Sequence, residues 1–190
     1  MKTRESGMPE ETMWNRFFTP PVVLARLGLT SEAQGVVEFG CGYGTFTLPA
    51  ARLARGRVYA FDIEADLVDL VRVKAQQASL ENVVSEVRDF VEQGTGLADA
   101  AADYAMLFNI LHAERPEVLL REAWRVLRLG GRLGIMHWNY DPSTPRGPSL
   151  DIRPRPEQCR AWAEALGFRL LEPGIISLPP YHYGMALERP

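Results

Sequence analysis

A glycine-rich turn follows a short apolar run near residue 36. Gly40, Gly42 and Gly44 lie within the segment VVEFGCGYGTF, residues 36–46. A strand that turns sharply into a helix beside a bulky ligand requires residues without side chains, because a Cβ would obstruct the approach of the backbone. Glu38 precedes these glycines, where a carboxylate would be unhelpful beside a pyrophosphate but could attract a cationic ligand. The segment therefore predicts a ligand site at the end of the first strand.

Two acidic residues end the next two predicted strands. Asp62 closes the run RVYAFD and Asp89 closes the run VVSEVRD. At the end of the second strand of such a sheet, a carboxylate lies beside the glycine turn and can accept hydrogen bonds from two ribose hydroxyls. At the end of the third strand, it can receive an adenine amino group. Either acid alone would favour a helix N-cap or a solvated loop, but together with the glycine turn they predict an adenosine site.

The surrounding pattern predicts the elements that position these residues. Apolar runs of strand length alternate with segments whose apolar residues recur every three or four positions, which is typical of βαβ units and a parallel sheet in an α/β fold. Strands are predicted at 36–39, 57–62, 83–89, 103–109 and 131–138, near 168–172 and near 182–188. Helices are predicted at 45–54, 64–78, 116–128 and 157–166. A further short amphipathic helix, 9–18, is predicted to stop at Pro20 and Pro21.

Composition limits the class of protein. The chain has 190 residues, a formal charge of −3, 46% hydrophobic and 24% charged residues, which argues against disorder. Its two cysteines are too few for a disulfide framework or a four-cysteine zinc site, and Cys41, within the glycine turn, is expected to pack rather than react. Apolar runs stay below the roughly 20 residues that cross a bilayer, and the N-terminus lacks the apolar stretch of a secretory signal. We expect a cytoplasmic protein that contacts no membrane, with one domain over 1–190, an N-terminal helical lid segment at 1–34 and a Pro/Arg-rich loop at 139–156.

The glycine turn and a later helix–strand segment resemble class I S-adenosylmethionine-dependent methyltransferases. The likeness is greatest to the small-molecule branch that includes the ubiquinone and menaquinone biosynthesis enzymes, the type 11 methyltransferase domain. EFGCGYG is similar to the family's acid-x-G-x-G-x-G motif, and REAWRVLRLGGRLGIMHW to its R-V-L-x-P-G-G segment, with Leu129 where proline is common. The resemblance extends from about Val36 to Trp138. It implies a Rossmann-like, doubly wound, seven-stranded and mostly parallel sheet in the order 3-2-1-4-5-7-6, with strand 7 antiparallel and helices on both faces.

The same resemblance implies S-adenosylmethionine as the cofactor and assigns residues to it. The implied cofactor-binding residues are Glu38, Gly40, Cys41, Gly42, Gly44, Asp62, Ile63, Asp89, Phe90 and Asn109. Glu38 would lie near the methionyl end, with the first glycines beneath it, and Asp62 would hold the ribose. Ile63 would pack on the adenine ring. Asp89 and Phe90 would lie on either side of the adenine edge. Asn109, closing the fourth strand, would reach the methionyl part or the reaction centre.

The three histidines of the chain lie at the ends of predicted strands: His112 follows strand 4, His137 ends strand 5 and His182 begins the last strand. The resemblance implies that the methyl acceptor binds above the carboxyl ends of strands 4 and 5, where these side chains would meet. Methyl transfer is an in-line displacement that often requires removal of a proton. Three roles fit these side chains: capping of strand ends through the backbone, a substrate pocket with one general base, or a metal site. Their long spacing, with no ligand pair on one helix, disfavours the metal site. We predict the general base at His137 or His182, with His112 contacting the substrate.

The proline-rich loop at 139–156 carries three arginines. Arginine pairs planar anions bidentately, which favours recognition of a carboxylate or phosphate on the methyl acceptor. Alternatively, these arginines pair with acidic residues of the same region and fix the shape of the loop. A loop of this length is unusual unless it is functional. Arg146, Trp138 and Tyr181 are the candidate substrate contacts of this region, beside His112.

Functions of other classes are alternatives to methyl transfer. A non-catalytic S-adenosylmethionine-binding regulatory protein would keep the same cofactor residues. A nicotinamide-dependent oxidoreductase is disfavoured by Thr45 at the sixth position of G-x-G-x-x-G and by Glu38. A nucleic-acid or protein methyltransferase is disfavoured by the net charge and by FNILH, where an N-P-P-Y-type motif would stand. We expect a small-molecule acceptor, no nucleic-acid partner, no metal, and a monomer or weak homodimer.

Overall fold

The strands of the computed structural model form one twisted sheet. The structure describes residues 8–190, so the first seven residues of the predicted lid segment lie outside the described residues. The strands are β1 Gly35–Phe39, β2 Arg57–Asp62, β3 Val83–Val87, β4 Ala102–Phe108, β5 Leu127–Trp138, β6 Arg169–Leu170, β7 Ile176–Leu178 and β8 His182–Glu188. Their order is β3-β2-β1-β4-β5-β8-β6, with β7 paired to β8. The predicted α/β fold and strand order are confirmed, with β8 as the antiparallel seventh strand.

One strand lies outside the predicted set. β7 spans only three residues and pairs antiparallel with the start of β8, where Leu178 lies opposite His182. Three residues are too few for alternation to indicate a strand, and Pro179 and Pro180 follow directly. The resulting hairpin adds an eighth strand to the seven that the resemblance implies.

The helices of the described residues pack on both faces of the sheet. They are α1 Glu11–Trp14, a 3₁₀ turn Asn15–Phe17, α2 Pro20–Arg26, α3 Thr47–Leu53, α4 Ala65–Gln77, α5 Pro116–Val126 and α6 Pro156–Glu164. Side chains of α5 and α6, including Leu119 and Cys159, pack on one face. Side chains of α2 and α3, including Leu24 and Ala50, pack on the other.

The N-terminal helices differ from the predicted pattern. Pro20 and Pro21 begin α2 rather than only stopping the preceding helix, because proline at the first helical turn lacks only an N–H that would be unpaired there. The first helix is also shorter than predicted and continues as the 3₁₀ turn. Likewise α5 ends at Val126, where Leu127 adopts an extended conformation and starts β5.

The chain reverses its direction of travel through the sheet between β1 and β4. Both strands are almost completely buried, as expected where helices cover both faces of parallel strands. Because β1 is followed by β2 on one side and β4 lies on the other, the loops after β1 and β4 diverge. A crevice forms at such a switch point, outside the carboxyl ends of the strands, and is the usual ligand position in open α/β sheets.

Candidate active site

A cavity of about 390 Å³ lies at the carboxyl ends of the central strands. Cavities of roughly 300–1,000 Å³ are typical of small-molecule sites. Of the predicted site residues, the cavity is lined by Gly40, Gly42, Asp62, Ile63, Asp89, Phe90, Asn109, His112, Trp138 and Arg146. Glu38, Cys41, Gly44, His137, Tyr181 and His182 are not among the lining residues. The wall therefore contains both predicted cofactor residues and predicted acceptor residues.

The glycine turn is built by backbone geometry that side chains would disturb. The N–H groups of Gly40 and Cys41 both donate to the carbonyl of Phe61, at 2.9 Å each. Gly40 and Gly42 have φ of +79° and +50°, a region that disfavours residues with a Cβ. A Cβ at Gly40 would lie 3.0 Å from Ile110 Cδ1, and one at Gly42 would lie 2.8 Å from Met8 Cε. The side chains of Ile110 and Met8 therefore pack closely against the turn on the side of the cavity.

The other residues of the motif lie beneath the turn. Gly44 faces helix α4, where a Cβ would lie 3.1 Å from Val71. Cys41 is buried, and this burial together with the nearby carboxylates raises the pKa of its thiol. A thiol that stays protonated is a poor nucleophile, in line with a packing role.

Glu38 lies beneath the turn rather than in the cavity wall. Its side chain is buried near the carboxyl end of β1 and accepts a hydrogen bond from the Thr47 hydroxyl at the start of α3. Burial raises its pKa to about 8, with a further contribution from the negative charge of Asp62. The carboxyl group next to the glycine turn is therefore mostly protonated near neutral pH.

Asp62 connects the end of β2 to the glycine turn. Its Oδ2 accepts from Gly42 N–H at 2.9 Å, and its Oδ1 accepts from Glu64 N–H at 3.1 Å. Burial raises the pKa of this carboxyl, against these two hydrogen bonds. Because each carboxylate oxygen accepts about two hydrogen bonds, one position on each oxygen is left for a diol. Ile63 beside it is 37% exposed and presents an apolar surface to the cavity.

The segment after β3 supplies the next part of the wall. Asp89 Oδ1 accepts hydrogen bonds from the N–H groups of Val91 and Glu92, both at 3.2 Å. The alternative prediction, that this carboxylate caps the backbone of the following turn, therefore also holds. Phe90 is buried against Phe39. Arg88 lines the cavity as well and has a buried Nε without a hydrogen-bond partner in the described residues. The strand pattern contains no signal that distinguishes Arg88 from a solvated arginine.

Asn109 closes β4 in an unusual backbone conformation. Its φ is +55°, and its N–H donates to the Met136 carbonyl at 2.7 Å. Asparagine is among the residues that tolerate this region. Its Nδ2 lies 3.4 Å from His182 Nε2, whereas its Oδ1 is buried and has no partner among residues 8–190. Strained backbone and an unpaired buried acceptor at a cavity are both typical of functional positions.

The three histidines lie near one another, but only His112 reaches the cavity wall. His137 is fully buried, and its Nε2 lies 3.3 Å from His112 Nδ1. His182 is 1% exposed and lies between the rings of Phe18 and Trp138, at 4.7 and 4.2 Å. Burial lowers the pKa of His137 well below its ordinary value and that of His182 to about 3. The predicted general base at His137 or His182 therefore falls on two buried imidazoles that are held neutral: His137 lies behind His112, and His182 lies behind Asn109 and Trp138.

The arginines of the Pro/Arg-rich loop have different roles. Arg153 donates to the carbonyls of Asn139 and Pro148, at 2.9 and 2.7 Å, and so fixes the loop from inside. Arg155 stacks on Tyr140, 3.7 Å from the ring centre. In place of the acidic side chains of the alternative interpretation, these two arginines contact backbone carbonyls and a ring. Arg146 lines the cavity and makes no ion pair with residues 8–190.

An aromatic cluster joins the N-terminal segment to the acceptor side. Trp138 contacts Trp14, Phe17 and Phe18, with ring centres 5.3–6.5 Å apart. Tyr181 packs on the outer side of this cluster, 5.9 Å from Phe17, which explains its distance from the cavity. Met8, Pro9 and Trp14 complete the wall. The sequence signals only the amphipathic character of this segment, not its contact with the glycine turn.

Metal ligand groups and membrane-spanning helices have requirements that can be compared with the described part of the chain. Among residues 8–190, no group of three or more His, Cys, Asp or Glu side chains is arranged to hold a metal ion. Within the same range, no helix combines the length and apolar character that crossing a bilayer requires.

Comparison with known proteins identifies the family to which this fold and site belong. The chain belongs to the methyltransferase domain family, whose model matches residues 37–135. The match covers β1 to β5, which carry the glycine turn and both acids. The predicted family is therefore confirmed, and S-adenosylmethionine is the cofactor that the family implies.

Individual relatives place this chain within a varied group. A ubiquinone/menaquinone biosynthesis C-methyltransferase of Bradyrhizobium is 34% identical over 119 residues, covering 61% of this chain and 45% of that protein. A ribosomal protein L11 methyltransferase of Pectobacterium carotovorum is 30% identical over 112 residues, covering 57% and 35%. The crystal structure of a SAM-dependent methyltransferase from Aquifex aeolicus superimposes with a TM-score of 0.82 at 22% identity, covering 95% and 94% of the two chains. The chain spans 32–45% of the length of the first curated relatives it matches.

Proposed function

We propose that this protein transfers a methyl group from S-adenosylmethionine to a small, anionic organic acceptor. One observation carries the proposal: a single cavity is lined at one side by the glycine turn and strand-end acids and at the other by His112 and Arg146. Asn109 lies between the two sets at the end of β4. The cavity thus holds a cofactor half and an acceptor half side by side.

The residues of the cofactor half fit an adenosyl ligand. Gly40 and Gly42 let backbone approach the ligand, and Asp62 keeps an accepting position on each oxygen for the ribose hydroxyls. Ile63 and Phe90 supply apolar surface for the adenine ring. When bound, S-adenosylmethionine supplies an electrophilic methyl group on a sulfonium. The chain's own contribution is to orient the two ligands and to exclude water from the space between them.

The cover of the cavity favours a small acceptor over a macromolecule. The N-terminal segment lies across the glycine turn: Tyr43 Oη donates to the Pro9 carbonyl at 3.0 Å, and Lys74 forms an ion pair with Glu11. Thr45 adds a hydrogen bond to this segment. Such a cover over the glycine turn shields a small ligand from water, in keeping with a lid over a small acceptor.

Arg146 gives the acceptor half its charge preference. It lines the cavity in a loop that Arg153 holds from inside, so its guanidinium is presented by an organised segment rather than by a free tail. Charge-assisted hydrogen bonds from arginine to a carboxylate or phosphate contribute about 1.5–3 kcal/mol. This range corresponds to roughly 10- to 100-fold in affinity.

Formation of S-adenosylhomocysteine with matched phenols tests the proposal. The panel compares 4-hydroxybenzoate and 4-hydroxyphenyl phosphate with neutral 4-hydroxybenzamide, and adds total RNA and a ribosomal protein extract. We expect turnover with an anionic phenol, and in Arg146→Gln a KM for that acceptor raised by about tenfold or more. Arg160→Gln is the matched control, because Arg160 pairs with Glu164 away from the cavity. Turnover with RNA or protein alone contradicts the small acceptor, and cofactor binding without any turnover indicates the regulatory alternative.

A further inference from the structure

Lys74 connects helix α4, the glycine turn and the N-terminal segment. Its Nζ donates to the Tyr43 carbonyl at 3.0 Å and pairs with the carboxylate of Glu11 in α1. Resting on the proposed methyl transfer, we infer that Lys74 is a positioning residue: it docks the N-terminal segment, residues 9–18, on the glycine turn. The docked segment in turn places Trp14 in the wall of the acceptor half.

The direction of the Lys74 side chain follows from the packing of α4 behind the turn. Val71 is fully buried, and a Cβ on Gly44 would meet it at 3.1 Å. Residues three apart lie on the same face of a helix, so Lys74 projects from the face that supports the turn. A lysine carries three N–H donors on a flexible stem of four carbons. The Lys74 side chain is only 22% exposed, so its charge is partly removed from water and is compensated by these two acceptors.

A second contact joins the segment to the other side of Gly44. Glu11 Oε1 also accepts from Asn15 Nδ2 at 3.4 Å, and Asn15 Oδ1 accepts from the Thr45 hydroxyl at 3.1 Å. Tyr43 and Thr45, which flank Gly44, are therefore both linked to the N-terminal segment. Thr45 stands where a dinucleotide motif has glycine or alanine, and neither of those residues could donate this hydrogen bond.

The helix that carries Trp14 depends on these contacts for its position. α1 spans four residues, none of them buried, and a helix this short has no stability of its own in water. Its C-terminal side is fixed by the two buried phenylalanines of the aromatic cluster. Its N-terminal side meets the turn through the pair of Lys74 with Glu11 and through the hydrogen bond from Tyr43 to the Pro9 carbonyl. Loss of the ion pair therefore frees α1 to pivot about the phenylalanines.

The position of Trp14 affects the acceptor half more than the cofactor half. Its ring lies in the cavity wall, 6.3 Å from the ring of Trp138, and the sulfur of the preceding Met13 lies 4.0 Å from Arg146 Nη2. Movement of α1 would remove apolar surface from the acceptor and a neighbour from the arginine that favours its anionic group. Asp62, in contrast, is bonded directly to the glycine turn and stays in place. We therefore expect the KM for the acceptor to respond rather than kcat.

Hydrogen exchange of the ligand-free protein tests the docking without any acceptor. The N–H groups of Met13 and Trp14 both donate to the Glu10 carbonyl at 3.0 Å, so their exchange reports whether α1 is formed. We expect both amides to exchange about fivefold faster or more in Lys74→Met than in the wild type, with exchange in β1 unchanged. Arg72→Met, which removes an exposed ion pair on the same helix, is the matched control and should exchange like the wild type. Wild-type exchange of the two amides in Lys74→Met overturns the inference.

Kinetics with the panel phenol that the wild type methylates fastest test the effect on the acceptor. Lys74→Met and Glu11→Gln should each raise the KM for this phenol by about fivefold or more, with kcat nearly unchanged. The double variant should be no worse than Lys74→Met, because both substitutions break one interaction, and Lys74→Arg should keep most of the wild-type KM. An unchanged KM in both single variants, or an equally large loss of kcat, overturns the inference and leaves the proposed function intact. If the wild type methylates no member of the panel while Lys74→Met exchanges faster, the docking stands and the proposed function is refuted.

Discussion

Glu38 should make the ligand-free protein less stable as the pH rises above neutrality. Its side chain is 2% exposed, and burial raises its pKa from 4.5 to about 8. Between these two values the folded state holds a proton that the unfolded chain has released. Each pH unit in this interval therefore removes about 1.4 kcal/mol from the free energy of unfolding.

Two buried histidines oppose this effect and reduce its net size. Burial lowers the pKa values of His137 and His182 from 6.5, so below about pH 6.5 the unfolded chain binds more protons and stability rises with pH. At about pH 6.5 the unfolded histidines are still half protonated, so the two together add about 0.8 kcal/mol more between this pH and pH 8. Asp62, whose pKa burial raises, has the same sign as Glu38 at lower pH. Between about pH 6.5 and pH 8 the Glu38 contribution falls by about 1.7 kcal/mol, and we therefore expect a net loss of roughly 1 kcal/mol.

Urea unfolding, followed by the fluorescence of the four tryptophans, measures this loss at the two pH values and constant ionic strength. Glu38→Gln removes the titrating group and keeps an acceptor for the Thr47 hydroxyl, so its stability should no longer fall over the interval and should rise by about 0.8 kcal/mol through the histidines. Glu81→Gln, an exposed site, should retain the wild-type dependence. Equal free energies of unfolding in the wild type at both pH values, or an undiminished slope in Glu38→Gln, would refute the reasoning.

Two further substitutions separate the ligand site from the core. Gly42→Ala should weaken S-adenosylhomocysteine binding by about tenfold or more in calorimetry, because its Cβ would meet Met8 at 2.8 Å. Gly130 also has a positive φ, +75°, but a Cβ there would meet no atom of the described residues within 4 Å. Gly130→Ala should therefore bind S-adenosylhomocysteine with wild-type affinity. Equal affinities in the two variants would contradict the close packing around Gly42. Tyr104→Phe removes the hydrogen bond to the Leu27 carbonyl and should lower the free energy of unfolding by about 1–2 kcal/mol in urea titrations. A loss of ligand affinity in this variant would show that the core and the site are not independent.

The parallel core of the fold could be predicted because its strands are buried on both faces. Apolar residues dominate the runs at 36–39 and 57–62, and each run ends where a glycine or an acidic residue meets the crevice. The position of the two acids along the sequence therefore determines their position in space. The N-terminal prolines carry less information, because proline is compatible both with stopping one helix and with starting another.

The acceptor half could be predicted only as a set of residues at one edge. Which histidine faces the cavity depends on strand faces: His182 lies opposite Trp138, whereas His137 lies opposite Tyr183, and His112 sits in the loop after β4. A shift of one residue in register would exchange these faces. The role of Arg153 depends on the path of an irregular loop, whose carbonyl positions leave no periodic signal in the sequence.

Isothermal titration of the wild type and of Asp62 variants with S-adenosylmethionine, S-adenosylhomocysteine and NAD tests the central claim most directly. Asp62→Ala and Asp62→Asn are both needed, because this carboxylate also accepts from Gly42, and urea unfolding of each variant separates a folding defect from lost binding. We predict saturable binding of both adenosyl-sulfur ligands, weakened by about 1.4 kcal/mol (tenfold) or more in the variants, and no binding of NAD. Binding of NAD alone, or of none of the three ligands, would contradict the assignment of this cavity to S-adenosylmethionine.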